Sequence, residues 1–203
     1  MQPRILIADD HSMVRKGLKA SFKFEMGYTD VAEVSSCNGL MKALRQEAYT
    51  HLVLDINLSD GSSLEVLPNI KHLYPDLRIA VLSMQPTSIY AKVLQQYGAL
   101  YFINKVALEE DTTRLLRRFL SNEPPPRELS KDNTTNPFSN FTARELEVLH
   151  YLLKGLKTNE IASKLGLMKS TISTVKARIF EKTGTKNLLE LTTMAIFSNI
   201  NVE

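Results

Sequence analysis

The stretch that most constrains this chain is residues 51–61, His51-Leu52-Val53-Leu54-Asp55-Ile56-Asn57-Leu58-Ser59-Asp60-Gly61. An apolar run this short, closed by the turn residues Ser59-Asp60-Gly61, fits a fully buried strand of a parallel sheet. The run ends in a carboxylate, Asp55. Ligands of open α/β sheets sit at the carboxyl ends of the strands, so Asp55 falls where chemistry is expected. An earlier run, Arg4-Ile5-Leu6-Ile7-Ala8, ends in the same way, in Asp9-Asp10. If the two strands are neighbours, three carboxylates converge on one rim. Like charges that close raise each other's pKa unless a cation neutralises them. Hard oxygen ligands with room for water suit Mg²⁺. Ser83 ends another apolar run and Lys105 follows a further one. A carboxylate, a metal, a hydroxyl and a lysine around one point make a site for a phosphoryl group.

Strand-like and helix-like runs alternate through residues 1–120. The pattern predicts strands at Arg4–Ala8, Val31–Ser35, His51–Asp55, Arg78–Ser83 and Leu100–Asn104. Helical stretches lie between them, such as Ser12–Phe24 with Val14, Leu18 and Phe22 at four-residue spacing. Asn38 and Ser62 are placed as N-caps. Repeated βα units predict an α/β domain: a parallel sheet with helices on both faces and right-handed crossovers.

Asp9-Asp10, Asp55, Ser83, Phe102 and Lys105 resemble, in order and spacing, the receiver domain of two-component response regulators, over about residues 1–120. The resemblance implies a flavodoxin-like sheet of order 2-1-3-4-5. It implies that Asp55 is the phosphoacceptor for a sensor histidine kinase. Asp9, Asp10, Asp55 and the main-chain carbonyl of Asn57 then hold Mg²⁺, and Lys105 contacts the acyl phosphate. Ser83 and Phe102 form a switch pair, with Phe102 turning inward on phosphorylation. Four positions depart from the receiver pattern: Ser59 stands at a common proline, Ser63 at a common glycine, Tyr101 at a common glycine, and Val106 at a common proline, which puts the usual cis peptide in doubt.

Residues 121–140 read as a linker, opening on Pro124-Pro125-Pro126 and continuing in the polar tract Ser130-Lys131-Asp132-Asn133-Thr134-Thr135-Asn136-Pro137. Residues 141–203 read as a small all-helical domain. Thr142 with Glu145 forms a capping box ahead of Leu146, Val148 and Leu149, and that helix stops near Gly155. Thr158 or Asn159 caps the next, which Gly166 closes. Ser170 caps a third, carrying Ile172, Val175, Ile179 and Phe180 to Gly184. Leu188 to Ile196 forms a fourth. Two short helices around a tight glycine turn are the helix-turn-helix pattern.

Phe141-Thr142-Ala143-Arg144-Glu145, Glu160-Ile161-Ala162, Ser170-Thr171-Ile172-Ser173-Thr174-Val175-Lys176 and Gly184 resemble the LuxR/FixJ-type DNA-binding domain. The expected DNA-facing set is Lys169, Ser170, Thr171, Ser173, Thr174, Lys176, Ala177, Arg178 and Lys182. Ser173 and Thr174 are short and need close approach to base edges; Arg178 and Lys182 are long and suit phosphates; Lys176 can do either. Lys169 and Ser170 sit at the helix N-terminus, where a phosphate is favoured. The resemblance also implies a homodimer paired through Leu188, Leu191, Thr192 and Ala195 of the last helix, whose apolar face also carries Ile196.

Charge supports this reading. Net charge is +3, and residues 141–203 carry 9 Lys+Arg against 6 Asp+Glu. Between 164 and 186 only Glu181 opposes Lys164, Lys169, Lys176, Arg178, Lys182 and Lys186. A basic cluster without a large apolar stripe suggests double-stranded DNA before a membrane. No apolar stretch reaches the roughly 20 residues of a membrane helix, and the first residues lack a secretory signal. The single cysteine, Cys37, fits a reducing cytoplasm. An enzyme of the aspartyl phosphatase class also uses an aspartate nucleophile, Mg²⁺ and a lysine, but its nucleophile usually lies on the first strand in Asp-x-Asp form, against Asp55-Ile56-Asn57 on the third here. A phosphorylation-independent DNA regulator is the other alternative, and the intact acidic pocket argues against it.

Overall fold

The computed structural model describes residues 3–84, 94–105, 109–126, 137, 138 and 140–198. Val106, at the position of a common cis proline, lies outside them, as does most of the polar tract of the linker. The chain divides into two compact units.

The first unit is built on a five-stranded, all-parallel sheet. Its strands are β1 (Ile5–Ala8), β2 (Val31–Val34), β3 (His51–Leu54), β4 (Arg78–Ser83) and β5 (Ala99–Asn104). They lie in the spatial order β2-β1-β3-β4-β5, so the expected order is found. Register runs Ile5↔Val31, Ile5↔His51 and His51↔Arg78. β1 and β3 are therefore neighbours, and Asp9 and Asp55 leave the sheet side by side. The helices are α1 (Ser12–Phe24), α2 (Cys37–Gln46), α3 (Leu67–Leu73) and α4 (Glu109–Leu120).

One core carries Ile5, Ile7, Val53, Ala80, Leu82, Tyr101 and Ile103 from the sheet, packed with Leu18 and Phe22 of α1 and Leu116, Phe119 and Leu120 of α4. The alternate residues Leu6, Leu52, Leu54 and Val81 are as deeply buried and point to the other face. Leu40, Leu44, Leu67 and Ile70 of α2 and α3 are buried as well. Each such side chain removed from water contributes roughly 1.5–3 kcal/mol. Phe22 is fully buried, and Phe22→Ala in this core should cost about 3–5 kcal/mol.

Beyond β3 the chain makes a two-residue antiparallel hairpin, Asn57–Leu58 against Gly61–Ser62, and then a 3-10 turn, Ser63–Glu65. Gly61 has φ +147°, a conformation open to glycine, and this lets the hairpin close. Ser62 caps the 3-10 turn as expected. The cap of α2 is Ser36, not Asn38: its side chain accepts from the Gly39 N–H.

The early part of the linker belongs to this unit. Tyr101, buried at the position of a common glycine, donates its hydroxyl to the carbonyls of Glu123 (3.2 Å) and Pro124 (3.0 Å). Arg78 donates to Glu123 O at 3.2 Å and Arg118 to Pro124 O at 3.2 Å.

The second unit holds α5 (Ala143–Leu153), α6 (Thr158–Leu165), α7 (Lys169–Thr183) and α8 (Leu188–Phe197). The Thr142/Glu145 capping box is present. Two caps fall earlier than the sequence suggests. Lys157 precedes α6, with Glu160 accepting the Lys157 N–H at 2.7 Å, and Met168, without a capping side chain, precedes α7. Gly166 and Gly184 end α6 and α7 in the left-handed conformation, at φ +64° and +67°.

Candidate functional site

The site lies at the carboxyl ends of β1, β3 and β5. Main-chain bonds prolong the sheet into it: Asp55 N–H to Ala8 O (2.8 Å), Asp9 N–H to Val34 O (3.1 Å) and Lys105 N–H to Ser83 O (2.9 Å). Asp9 and Asp55 are buried, at 1% and 4% exposure, while Asp10 is exposed. The Lys105 ammonium stands between the two buried carboxylates, 2.6 Å from Asp55 Oδ2 and 2.6 Å from Asp9 Oδ2. Burial pushes the Asp55 carboxyl above the usual range; Lys105 pulls it back and the charge of Asp9 adds to the rise. For Lys105 burial works against the charge, but the two carboxylates outweigh it and hold the ammonium above its ordinary pKa.

Donor atoms of Asp9, Asp10, His11 and Asp55 all lie within 4.8 Å of one another. Three are hard carboxylate oxygens on one rim, a set that fits a divalent cation of the Mg²⁺ type. His11, whose position in the sequence carries no ligand signal, joins this cluster. Its Nδ1 is 2.6 Å from Asp10 Oδ1, and its main-chain N–H donates to Asp9 Oδ1 at 2.8 Å. Arg15 donates to the Asp9 carbonyl at 2.7 Å, fixing the loop from outside.

Two other residues were visible in the sequence only as departures or turn formers. Ser63, 1% exposed, donates its hydroxyl to Asp55 O at 2.7 Å. Asp60 reaches the start of α2. Ser83 ends β4, paired with Asn104 of β5, and is 1% exposed. Phe102 is paired with Val81 and only 7% exposed.

In the second unit α7 buries Ile172, Val175 and Ile179. Lys169, Ser170, Ser173, Thr174, Ala177 and Arg178 are exposed, and Thr171 and Lys176 are half-buried, so the expected DNA-facing set shares the outer surface. The Thr174 hydroxyl donates to Ser170 O at 3.0 Å, leaving its lone pairs outward. Lys182 differs from the rest. Its ammonium donates to Glu145 Oε2 at 2.6 Å and to Asn140 O at 3.1 Å, tying α7 to the capped start of α5. Burial opposes the charge on Glu145, yet the Lys182 and Thr142 hydrogen bonds hold its pKa below the usual range.

The face of the last helix that carries Leu188, Leu191 and Ala195 packs into its own domain, while Ile196 lies outside it. Leu191 and Ala195 are fully buried in their own domain, and Leu188 and Thr192 are half-buried. The exposed apolar residues of α8 are Leu189 (77%) and Ile196 (58%). Among the described residues no helix is long and apolar enough to cross a membrane.

A parallel-sheet domain with a lysine-bridged acidic rim, followed by a helix-turn-helix domain, defines a phosphoacceptor module joined to a DNA-binding module. Comparison with known proteins places it more closely. The response regulator receiver domain matches residues 5–117, and the bacterial regulatory proteins of the luxR family match residues 139–195. The chain belongs to the response regulators, with a receiver domain and a LuxR-type DNA-binding domain.

It is similar to the response regulator UvrY of Escherichia coli, 25% identical over 202 residues, covering 95% of this chain and 93% of that one. It is similar to the virulence-factor transcription regulator BvgA of Bordetella pertussis, 28% identical over 209 residues and covering 98% and 100%. The oxygen regulatory protein NreC of Staphylococcus aureus is 28% identical over 213 residues, covering 95% and 96%. Among solved structures, RcsB of Salmonella enterica serovar Typhimurium, bound to promoter rprA with a beryllofluoride phosphomimetic, shares the fold at TM-score 0.72 and 23% identity, covering 96% and 98%.

Proposed function

We propose that Asp55 accepts a phosphoryl group from a sensor histidine kinase, and that the resulting acyl phosphate controls how the LuxR-type domain engages promoter DNA as a homodimer. The observation that carries this reading is the Lys105 ammonium, held 2.6 Å from both Asp55 and Asp9 at the rim of the sheet. An Asp55 carboxylate oxygen attacks phosphorus; the P–N bond to the kinase imidazole breaks, and the imidazole leaves with the bond pair and takes up a proton. Lys105 is already placed to move from the carboxylate to a phosphoryl oxygen. Asp9, Asp10, Asp55 and the main-chain carbonyl of Asn57 would hold Mg²⁺, which when bound neutralises charge that builds up beside the carboxylates. The product is the modified protein itself, so the chain is a signalling protein and not an enzyme. Ser83 and Phe102 read the phosphoryl group.

Ser173 and Thr174 read base edges, while Lys169, Ser170, Lys176 and Arg178 meet phosphates; Thr171 and Ala177 complete that surface. The receiver, linker and DNA-binding regions are taken as 1–120, 121–140 and 141–203, with the receiver's grip on the linker extending to Pro124. RcsB bound to promoter DNA supports the nucleic-acid reading by shared fold. The cytoplasm, where kinase and DNA meet, is the proposed compartment.

Incubation with a small phosphodonor and Mg²⁺ tests the reading. The wild-type chain should gain one phosphoryl group and Asp55→Asn none, since an amide does not attack phosphorus as a carboxylate does. Full labelling of Asp55→Asn would overturn the assignment.

A further inference from the structure

The start of α2 is capped twice, and only one cap belongs to the helix. The first four N–H groups at a helix start have no main-chain partner within it, and three of those at α2 are satisfied by side chains. That of Gly39 goes to the helix's own cap, Ser36 Oγ, at 3.0 Å. Those of Cys37 and Asn38 go to the carboxylate of Asp60, at 2.5 and 3.0 Å. Asp60 lies in the loop that follows Asp55 and is exposed. Water could serve these two N–H groups at an exposed helix start, so the helix has little need of Asp60.

The loop has more to gain. Ser59 gives both its N–H (3.0 Å) and its hydroxyl (2.9 Å) to Ser35 O, just ahead of α2. With Asp60 this makes four hydrogen bonds from adjacent loop residues to the β2–α2 junction. The same loop is the hairpin pairing Asn57 with Ser62 and Leu58 with Gly61. Its foot is fixed by Ser63 N–H to Ile56 O at 2.8 Å. From the same foot the Ser63 hydroxyl donates to the main-chain carbonyl of Asp55 at 2.7 Å. A continuous set of bonds therefore runs from the α2 terminus through Asp60 and the hairpin to the acceptor.

We propose that Asp60 is a positioning residue for phosphoryl transfer to Asp55: it clamps the 57–62 hairpin onto the start of α2 and so holds the main chain that carries the acceptor. The favourable placement of a carboxylate at a helix N-terminus supplies the clamp's electrostatic part, and the Asp60 pKa is lowered accordingly, the two N–H groups outweighing burial. The inference rests on Asp55 being the acceptor.

Ser36 supplies the control, because its hydroxyl caps the same helix from the helix side through Gly39. Labelling rates with a small phosphodonor and Mg²⁺ are measured for full-length wild type, Asp60→Ala, Asp60→Asn and Ser36→Ala, together with amide exchange of residues 57–62. Asp60→Ala should slow labelling about tenfold or more, and Ser36→Ala should stay within about twofold of wild type. Exchange of 57–62 should quicken in Asp60→Ala while β3 stays protected. Asp60→Asn, which keeps one acceptor oxygen, should recover part of the rate; if Asp60→Ala fails to fold, Asp60→Asn against Ser36→Ala decides by the same comparison. Wild-type labelling in Asp60→Ala, or equal slowing in Ser36→Ala, would overturn the proposal. Labelling that survives Asp55→Asn strikes the acceptor reading instead, and is seen separately.

Discussion

The Ser63 hydroxyl, fully buried, donates to the main-chain carbonyl of Asp55 at 2.7 Å. Where receivers often carry glycine, this chain ties the acceptor's own backbone to the turn beyond it. Ser63→Ala leaves a buried carbonyl short of a donor and should cost about 1–3 kcal/mol. Denaturant melts of the two proteins check this; equal midpoints and slopes would show that the bond contributes nothing.

Lys105 neutralises two buried carboxylates at once. Lys105→Met should destabilise the receiver in metal-free buffer by about 3–5 kcal/mol, because both anions lose their partner. The same change removes the cation that competes for Asp9 and Asp55. Added Mg²⁺ should therefore raise the melting temperature of Lys105→Met more than that of wild type. Thermal melts with and without Mg²⁺ give the answer, and an equal gain in both proteins would place the ion away from these carboxylates.

Lys182 is held by Glu145, so its first duty is to the fold. Lys182→Met should cost about 1.5–3 kcal/mol, the range for hydrogen bonds to a charged group. The folded pKa of Glu145 lies below its ordinary value of 4.5. Its contribution to stability is thus fully present above the unfolded pKa and is lost as pH falls through the folded one. Melts of the DNA-binding domain should weaken below about pH 4.5 in wild type, and less steeply in Lys182→Met. Arg178→Ala, on the exposed face, should leave stability unchanged and reduce the salt slope of DNA binding by about 0.9. A salt slope that falls with Lys182→Met but not with Arg178→Ala would reverse these roles.

On α8 the core and surface positions now separate. Leu191→Ala should cost about 2–5 kcal/mol of domain stability. Leu189→Glu and Ile196→Glu, at exposed positions, should change stability by no more than about 0.5 kcal/mol. If this face pairs two chains on DNA, both charges should weaken the dimer while Asp55 labelling is untouched. Sedimentation of each variant with a two-half-site duplex measures this; unchanged dimer affinity would move the pairing elsewhere.

The sheet was readable in the sequence because each strand is a short apolar run ending in a turn or a charged residue. Asp9, Asp55 and Lys105 were readable for the same reason: each follows directly on a strand. Ser63, Asp60 and the Glu145–Lys182 pair were not, since their meaning lies in partners that local pattern does not specify; Lys182 is 37 residues from Glu145. Caps were misplaced wherever several polar residues adjoin, as at Ser35-Ser36-Cys37-Asn38, or where the true cap is Lys157 or Met168, residues with no capping preference. On α8 only Ile196 falls outside the expected apolar face: Leu188, Leu191 and Ala195 keep the i, i+3, i+7 spacing, and Ile196, one residue on, does not.

Tyr101 also sets a length. By gripping the carbonyls of Glu123 and Pro124 it ends the receiver's hold on the chain there, and the second unit is packed again by Phe138, fully buried against Phe141. Pro124 and Phe138 are 14 positions apart in sequence, which bounds the distance between them at roughly 48 Å. Released from Tyr101, Arg78 and Arg118 together, the span would start nearer Leu120, the end of α4, and could lengthen by up to roughly 14 Å. Three side chains, Tyr101, Arg78 and Arg118, thus fix together where that reach begins.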